Sequence, residues 1–309
     1  MDIINCFKTI KTHKKKENDD NFKLKNIDDE LLNEAKISNL ISKIPNYHLF
    51  FIVIENLNDL TFCNNKSIDV RNSNYKVVKY SSNKLFTLDE KLNNYSGSKK
   101  IHFLITLVES GFNLIKILHQ HNIIHNCINS RTILISKNDY CYLSDFSLSF
   151  LTNNSLDTNL INRGLVPQYY REILCLKSSI LDELQLNNIL DSLTRYFKNC
   201  NLLEENELLD CINNYKLFLE PFLNIDQKQI INDFNNLLFS WDFISFSFLI
   251  LSILNNYNCT DPLTNIRKLF INMLSPPWDK NINIVIDQFK NIYLNTSSSL
   301  WESLIKLNI

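Results

Sequence analysis

Three histidines, two cysteines and an Asp-Phe pair fall in one stretch, Leu118 to Phe150, reading LHQHNIIHNCINSRTILISKNDYCYLSDFSLSF. Each suggests a chemistry and a plainer alternative. His119, His121 and His125 have the spacing of metal ligands, but a closed zinc site needs a fourth ligand and none is found, so a structural His125 is expected. Cys127 follows His125 by two residues, yet nucleophilic catalysis by a Cys-His pair needs a geometry that such a turn does not supply. Asp145 reads either as a ligand for one divalent metal or as the Asp that closes a hairpin end. Upstream, Lys25 (or Lys23) in a short strand and Glu34 on a helix are the residue types of an ion pair that positions a phosphate. The same pair of types is also commonplace on any small sheet and helix.

Composition narrows the options. Only Gly97, Gly111 and Gly164 occur in 309 residues, where average usage would give about twenty. Glycine-cradled phosphate sites need backbone N–H groups packed on a ligand without an intervening Cβ, so a P-loop, a dinucleotide fingerprint and a kinase-type flap are all excluded. A net charge of −1 gives no global attraction to nucleic acid or an acidic membrane, and neither is expected as a partner. The eight cysteines show no C-x-x-C spacing, which argues against a zinc ribbon or redox pair. With no apolar run in the first twenty residues, they are expected to be reduced thiols in the cytoplasm. The basic run Lys14 to Lys16 is expected to belong to a solvated tail, residues 1–20. Abundant Asn, Ile and Lys resemble AT-rich coding, as in large DNA viruses of protists or AT-rich parasites; a viral origin would place the protein in host cytoplasm or virion.

The elements that must position these residues follow from apolar spacing. Residues 21–26 predict a short strand, and Ile27 to Ile44 a helix through Leu31, Leu32, Ala35, Ile37, Leu40 and Ile41. His48 to Ile54 and Tyr75 to Tyr80 read as strands. Lys100 to Gln120 is a long amphipathic helix. Thr132 to Ser136 and Tyr140 to Leu143 are strands joined by a Lys137-Asn138-Asp139 turn. Phe243 to Leu254 is uncharged but only twelve residues long, too short to span a membrane at about twenty residues per helix. It is expected to be a buried helix. The boundary between a smaller, 21–82, and a larger region, 83–309, is placed at Ser81 to Asn83.

In order and spacing, these residues resemble the core of eukaryotic-type protein kinases. In that family a helix ending Leu-His precedes His-Arg-Asp, an Asn five residues on, a hairpin and Asp-Phe-Gly. Here Leu118-His119 stands for the helix end, His125-Asn126-Cys127 for His-Arg-Asp, Thr132 for the Asn and Asp145-Phe146-Ser147 for Asp-Phe-Gly. Val166 to Glu172 (VPQYYRE) is similar to the end of an activation segment lacking the usual Ala-Pro before the Glu. Asp242 to Ser247 resembles the D-x-W-S-x-G start of the buried kinase helix, and Leu269 to Lys280 the ending of the large lobe with Lys in place of Arg. The resemblance covers roughly 22–172 and 240–290, leaving 173–239 as a helical insertion. It implies an α+β, two-lobed, protein-kinase-like fold: a reduced small lobe with a short antiparallel sheet and one helix, and a mostly helical large lobe carrying the insertion.

The departures from the family decide the implied function. Cys127 occupies the position of the catalytic base, which in the family orients the substrate hydroxyl and accepts its proton. A thiol, with a pKa of about 8.5, suits that role poorly. Thr132 stands where an Asn would hold a second Mg²⁺. No catalytic residue is therefore expected, and no cofactor. If nucleotide binding survives, ATP and Mg²⁺ fall to Lys25, Glu34 and Asp145, with Asp145 on the metal. His125, Phe146, Glu172, Asp242 and Lys280 are expected to be structural: His125 and Phe146 in the packing that joins the lobes, Asp242 holding the loop backbone, Glu172 with Lys280 as an ion pair. The function implied is a pseudokinase that binds or scaffolds a protein partner, with a weakly active, divergent Ser/Thr kinase as the alternative. The insertion's helices are amphipathic, through Ile180, Leu181, Leu184, Leu186, Ile189, Leu190 and Leu193, then Leu208, Leu209, Ile212, Tyr215 and Phe218. They either dock that partner or bury their own stripe.

Overall fold

The structure, a computed structural model, describes residues 22–26, 28–59, 75–81, 85–152, 167–176, 180–257, 261–278 and 281–307. Lys280, the basic tail and the side chains of Lys23 and Lys25 lie outside the described set. The architecture is α+β, mostly helical with a few short antiparallel strands. The chain divides into two compact units: unit 1 is Met1–Lys91 with Arg131–Ser149, and unit 2 is Leu92–Ser130 with Phe150–Ile309. Sequence alone placed a boundary at Ser81 to Asn83 and gave no sign that 131–149 returns to the first unit.

Unit 1 holds two small sheets and a helix. Strands β1 (Phe22–Asn26), β2 (Ile54–Asp59) and β3 (Tyr75–Tyr80) form an antiparallel sheet in the order β1-β3-β2. Helix α1 (Asp29–Ile41) starts where the Asp28 side chain accepts the Leu31 N–H at 2.8 Å, with Asp29 and Glu30 in a first turn that favours negative charge. Its Leu31 and Ala35 pack with Ile52, Ile54, Val78 and Tyr80. The second sheet, β4-β6-β7, is built from β4 (Phe86–Thr87) and the hairpin β6 (Ile133–Ile135) and β7 (Cys141–Leu143). The hairpin turn has Asp139 at φ 66°, a left-handed conformation that Asp tolerates. A short helix, α2 (Leu88–Asn93), follows β4.

The strand expected at His48 to Ile54 does not form as such. Tyr47–Leu49 is a 3₁₀ turn entered through Asn46 at φ 57°, and the Phe50 and Phe51 N–H groups both return to the Tyr47 carbonyl. Only Phe51 then makes an isolated bridge to Leu143, and β2 starts at Ile54. Continuous apolar runs do not carry the period-2 alternation that distinguishes a strand from buried irregular chain.

Unit 2 is organised around two helices, α3 (Gly97–Gln120) and α8 (Ser240–Leu254), with strands β5 (Ile123–Ile124) and β8 (Phe150–Leu151) paired between its segments. Helix α8 is apolar on nearly every side and almost wholly buried. The Ser245 and Ser247 hydroxyls donate back to the Trp241 and Phe243 carbonyls four residues earlier, which satisfies them inside the core. Around α8 lie α4 (Gln168–Leu174), α5 (Glu183–Cys200), α6 (Glu205–Leu219), α7 (Gln227–Phe234), α9 (Asp261–Leu274), α10 (Ile282–Asn295) and α11 (Ser298–Leu307). Helix α3 alone among the described helices is long and apolar enough to cross a membrane by length and composition. Its apolar side packs on α8 and α10.

Gly111 sets the closest approach of α3 and α8. A Cβ built there would lie 2.9 Å from Phe246 Cε1 and closer still to Cε2 and Cζ. Phe246 is itself held edge-on by Phe112 and Phe270, at ring separations of 5.5 and 5.7 Å.

The segment 173–239 folds as α5, α6 and α7 and buries most of its stripe within unit 2. Leu186, Ile189, Leu190, Leu193 and Phe197 of α5 are covered, and Tyr215 of α6 packs against Tyr169 and Trp278. Three residues expected in the stripe are solvent-facing instead: Ile180, Leu184 and Leu209. Helical spacing marks a broad face, and packing selects which part of it is covered.

Candidate functional site

The segment His125 to Ser130 in unit 2 is held by one carboxylate. Asp242, in the first turn of α8, is fully buried. Its Oδ2 accepts the His125 N–H at 3.0 Å, and its Oδ1 accepts the Asn126 N–H at 2.9 Å. His119 Nε2, from the end of α3, lies 3.1 Å from the same Oδ2. Asn126 sits at φ 63°, so the chain turns sharply there and aims two successive N–H groups at one side chain.

Around Cys127 several hydrogen bonds run within the loop. The Cys127 N–H donates to His125 Nδ1 at 3.3 Å, which requires that nitrogen to be unprotonated. Asn129 Nδ2 donates to the Cys127 carbonyl at 3.1 Å and to its sulfur at 3.3 Å. The imidazole thus meets the backbone of Cys127, and the thiol meets a neutral amide. Thiolates form where cations or helix N-termini stabilise them, and an amide donor is a weak substitute.

Unit 1 carries the other half of the motif. Thr132 is buried, and its carbonyl accepts both the N–H and the hydroxyl of Ser144, at 2.9 and 3.0 Å. Asp145 is exposed at φ 62°. Its Oδ1 accepts the Ser147 hydroxyl at 2.7 Å and faces the Ser147 N–H at 3.4 Å, closing an Asx-type turn. Phe146 is buried edge-on against Phe51, with centroids 6.0 Å apart. Asn33 of α1 reaches the same turn, donating through Nδ2 to the Ser147 and Ser149 carbonyls at 2.8 Å each. The next residue along the helix, Glu34, is 1% exposed and its Oε2 receives the Tyr80 hydroxyl at 3.4 Å. The backbone register pairs Lys23 with Val78 and Lys25 with Lys76.

No protein-family model matches the chain, and no curated protein is similar to it at a significant level. The chemistry of the site therefore rests on its own side chains. Mg²⁺ demands several hard oxygen ligands in near-octahedral array. Within unit 1 the motif offers one exposed carboxylate already bonded to Ser147 and a buried threonine. Among the described residues no group of three or more His, Cys, Asp or Glu side chains assembles that could hold a metal.

The remaining expected positions are distributed by packing. Glu172 Oε1 accepts from the Gln168 amide and from the Ser192 hydroxyl of α5 at 2.6 Å. Elsewhere in unit 2 a two-point ion pair forms, with Arg267 Nη2 2.8 Å from Glu207 Oε2 and Nε 3.3 Å from Oε1. Tyr169 and Tyr170 are buried among Tyr215, Phe234, Trp241 and Trp278. Burial pushes the Tyr170 phenol up to about 12 and raises Tyr169 further, so both stay neutral hydroxyls. They pack; neither is presented for modification.

Sequence reasoning missed Asn33, Asn129 and Lys91. Lys91 is buried with its ammonium 2.9 Å from Asp139 Oδ1 and 4.9 Å from the Phe86 ring centroid, so it holds the hairpin turn. Asn is so frequent here that no single one stands out. The sequence leaves Asp145 either as a metal ligand or as the Asp closing a hairpin end, and its turn with Ser147 is a further finding. Asn33 has a direct test. Asn33→Ala removes two bonds to the Asp145–Ser149 turn and should cost about 1–2 kcal/mol. Asn33→Asp should cost more, because a carboxylate then faces two carbonyl oxygens. Amide hydrogen exchange at 147–149 reads the release, and equal protection in all three proteins would remove the clamp from the account.

Proposed function

We propose that this chain is a catalytically impaired, protein-kinase-like protein with a two-lobed architecture that acts by binding a protein partner. The observation that carries the reading is that the motif's Asp145 and Cys127 are each bonded by a neighbouring side chain, and its loop backbone by Asp242. Asp145 closes a turn with Ser147, Asn129 caps Cys127, and Asp242 holds His125 and Asn126. On this reading the bonds hold a segment that resembles a kinase catalytic loop, with Cys127 in place of the family's base and Thr132 in place of its Asn. Solvent-facing apolar residues on α6, Leu209 at 59% and Leu217 at 67% exposed, support a binding role for the segment 173–239. A lone exposed leucine is ordinary; two on one helix, in a chain whose motif lacks the family's base residue, carry more weight.

A second reading, a divergent Ser/Thr kinase using ATP and Mg²⁺, draws on one observation. Asp145 is held exposed in a left-handed conformation by Asn33 and Ser147, and such backbone positions concentrate at functional sites. Calorimetric titration with Mg-ATP separates the two. No saturable heat at about 1 mM nucleotide, a binding free energy weaker than about −4 kcal/mol, is the expected outcome. Binding that disappears in Asp145→Ala would establish the second reading. For the partner, Leu209→Asp with Leu217→Asp should reduce binding while leaving the melting temperature unchanged. Unchanged binding would move the partner surface away from α6.

A further inference from the structure

Unit 2 contains a cavity of about 340 Å³ that the motif does not use. Its floor is the side of α8 bearing Ile244, Phe248 and Leu249, one wall is α5, and the rim runs through Ile128–Ser130 and the start of α4. The volume falls in the range of small-molecule sites, which begin near 300 Å³. Helix α5, from the segment 173–239, supplies the wall, so the cavity is absent from a fold lacking that segment.

We propose that this cavity binds a small, uncharged aromatic molecule that carries an N–H or O–H donor. Three features select that class. First, among the described residues no Asp, Glu, Lys, Arg or His lines the cavity. A charged ligand would lose hydration there without a counter-charge, at a cost of several kcal/mol. The Tyr196 phenol on the wall is itself neutral, since burial pushes it up to about 12.

Second, the wall is aromatic and ordered before any ligand enters. Phe197 and Phe248 lie parallel, 9° apart in plane with centroids at 5.9 Å, and Tyr196 stands edge-on to Phe248 at 5.7 Å. A flat ring extends such an arrangement with the offset or edge contacts aromatic groups favour.

Third, the polar atoms contributed by α8 are acceptors. The Ser245 hydroxyl donates to the Trp241 carbonyl at 2.8 Å, and the Ser252 hydroxyl to the Leu249 carbonyl at 2.7 Å. Their protons are spent along the helix, and their oxygens retain lone pairs. A ligand bearing one donor satisfies such an acceptor.

Indole is the matching probe: bicyclic, neutral and with one N–H. Titration of the full chain by calorimetry should show saturable indole binding with Kd below about 1 mM. Methylating the nitrogen, in 1-methylindole, should weaken binding about tenfold by deleting one hydrogen bond. Indole-3-acetate should not bind, because its carboxylate has no partner. Ser252→Trp, at the exposed mouth, should block indole without changing the melting temperature. Leu193→Trp fills the cavity from the opposite wall as a second variant. The proposal is overturned if indole gives no saturable heat, as for a solvent-filled cleft. It is equally overturned if indole-3-acetate binds as tightly as indole, or if a folded Ser252→Trp or Leu193→Trp protein binds indole like wild type. None of these outcomes depends on whether the chain binds nucleotide.

Discussion

Asp242→Ala is expected to lower the unfolding free energy of unit 2 by about 3–5 kcal/mol, the range found when one partner of a buried, charge-assisted network is removed. The reason is the number of donors that depend on it. The His125 and Asn126 N–H groups and His119 Nε2 all meet this one, fully buried carboxylate. Each unpaired buried donor costs about 1–3 kcal/mol. Asp242→Asn keeps the volume but turns one oxygen into an N–H₂ that confronts a donor, so an intermediate loss is expected. Urea unfolding followed by tryptophan fluorescence measures this cleanly, because Trp241, Trp278 and Trp301 all belong to unit 2. A midpoint unchanged in Asp242→Ala would mean that the loop backbone finds other partners.

Gly111→Ala is the second large effect, and two opposing magnitudes set its sign. In an open helix the change would stabilise by about 1 kcal/mol through propensity. Here the new methyl would enter the Phe246 ring, which cannot retreat because Phe112 and Phe270 close on it. Overpacking of this kind costs about 1–3 kcal/mol and sometimes more, so net destabilisation is expected. Phe246→Leu in the same chain should recover part of the loss, giving a favourable coupling in a double-mutant cycle. Independent, additive effects would show that α3 and α8 separate to admit the methyl.

Much of the helical structure was legible in sequence. The spacing of Ile101, Leu104, Leu107, Val108, Phe112, Ile115 and Leu118 marks α3, and the structure extends it only to Gly97. The helix expected over Ile27 to Ile44 is shorter, Asp29–Ile41, because Asp28 caps it and the Ser42 N–H already turns back to the Ser38 carbonyl. The hairpin over 132–143 was readable from its Lys137-Asn138-Asp139 turn. The apolar run at His48 to Ile54 was not, since its conformation depends on Leu143, some ninety residues away.

The candidate site divides in the same way. Residue types, order and spacing from Leu118 to Asp145 are properties of the sequence, as is the scarcity of glycine. The Asp145–Ser147 turn is a local feature, two residues being enough for a side chain to cap its own backbone, yet it was found only in the structure. Long-range placement lay beyond the sequence. That Asn33 clamps that turn across more than a hundred residues, that His119, His125 and Asn126 converge on Asp242, and that Gly111 is required by Phe246 are facts of packing. A hydrogen bond or a close ring contact is decided within a few tenths of an ångström. Periodicity in the chain specifies which face of an element is apolar, and only the assembled core specifies which atoms meet.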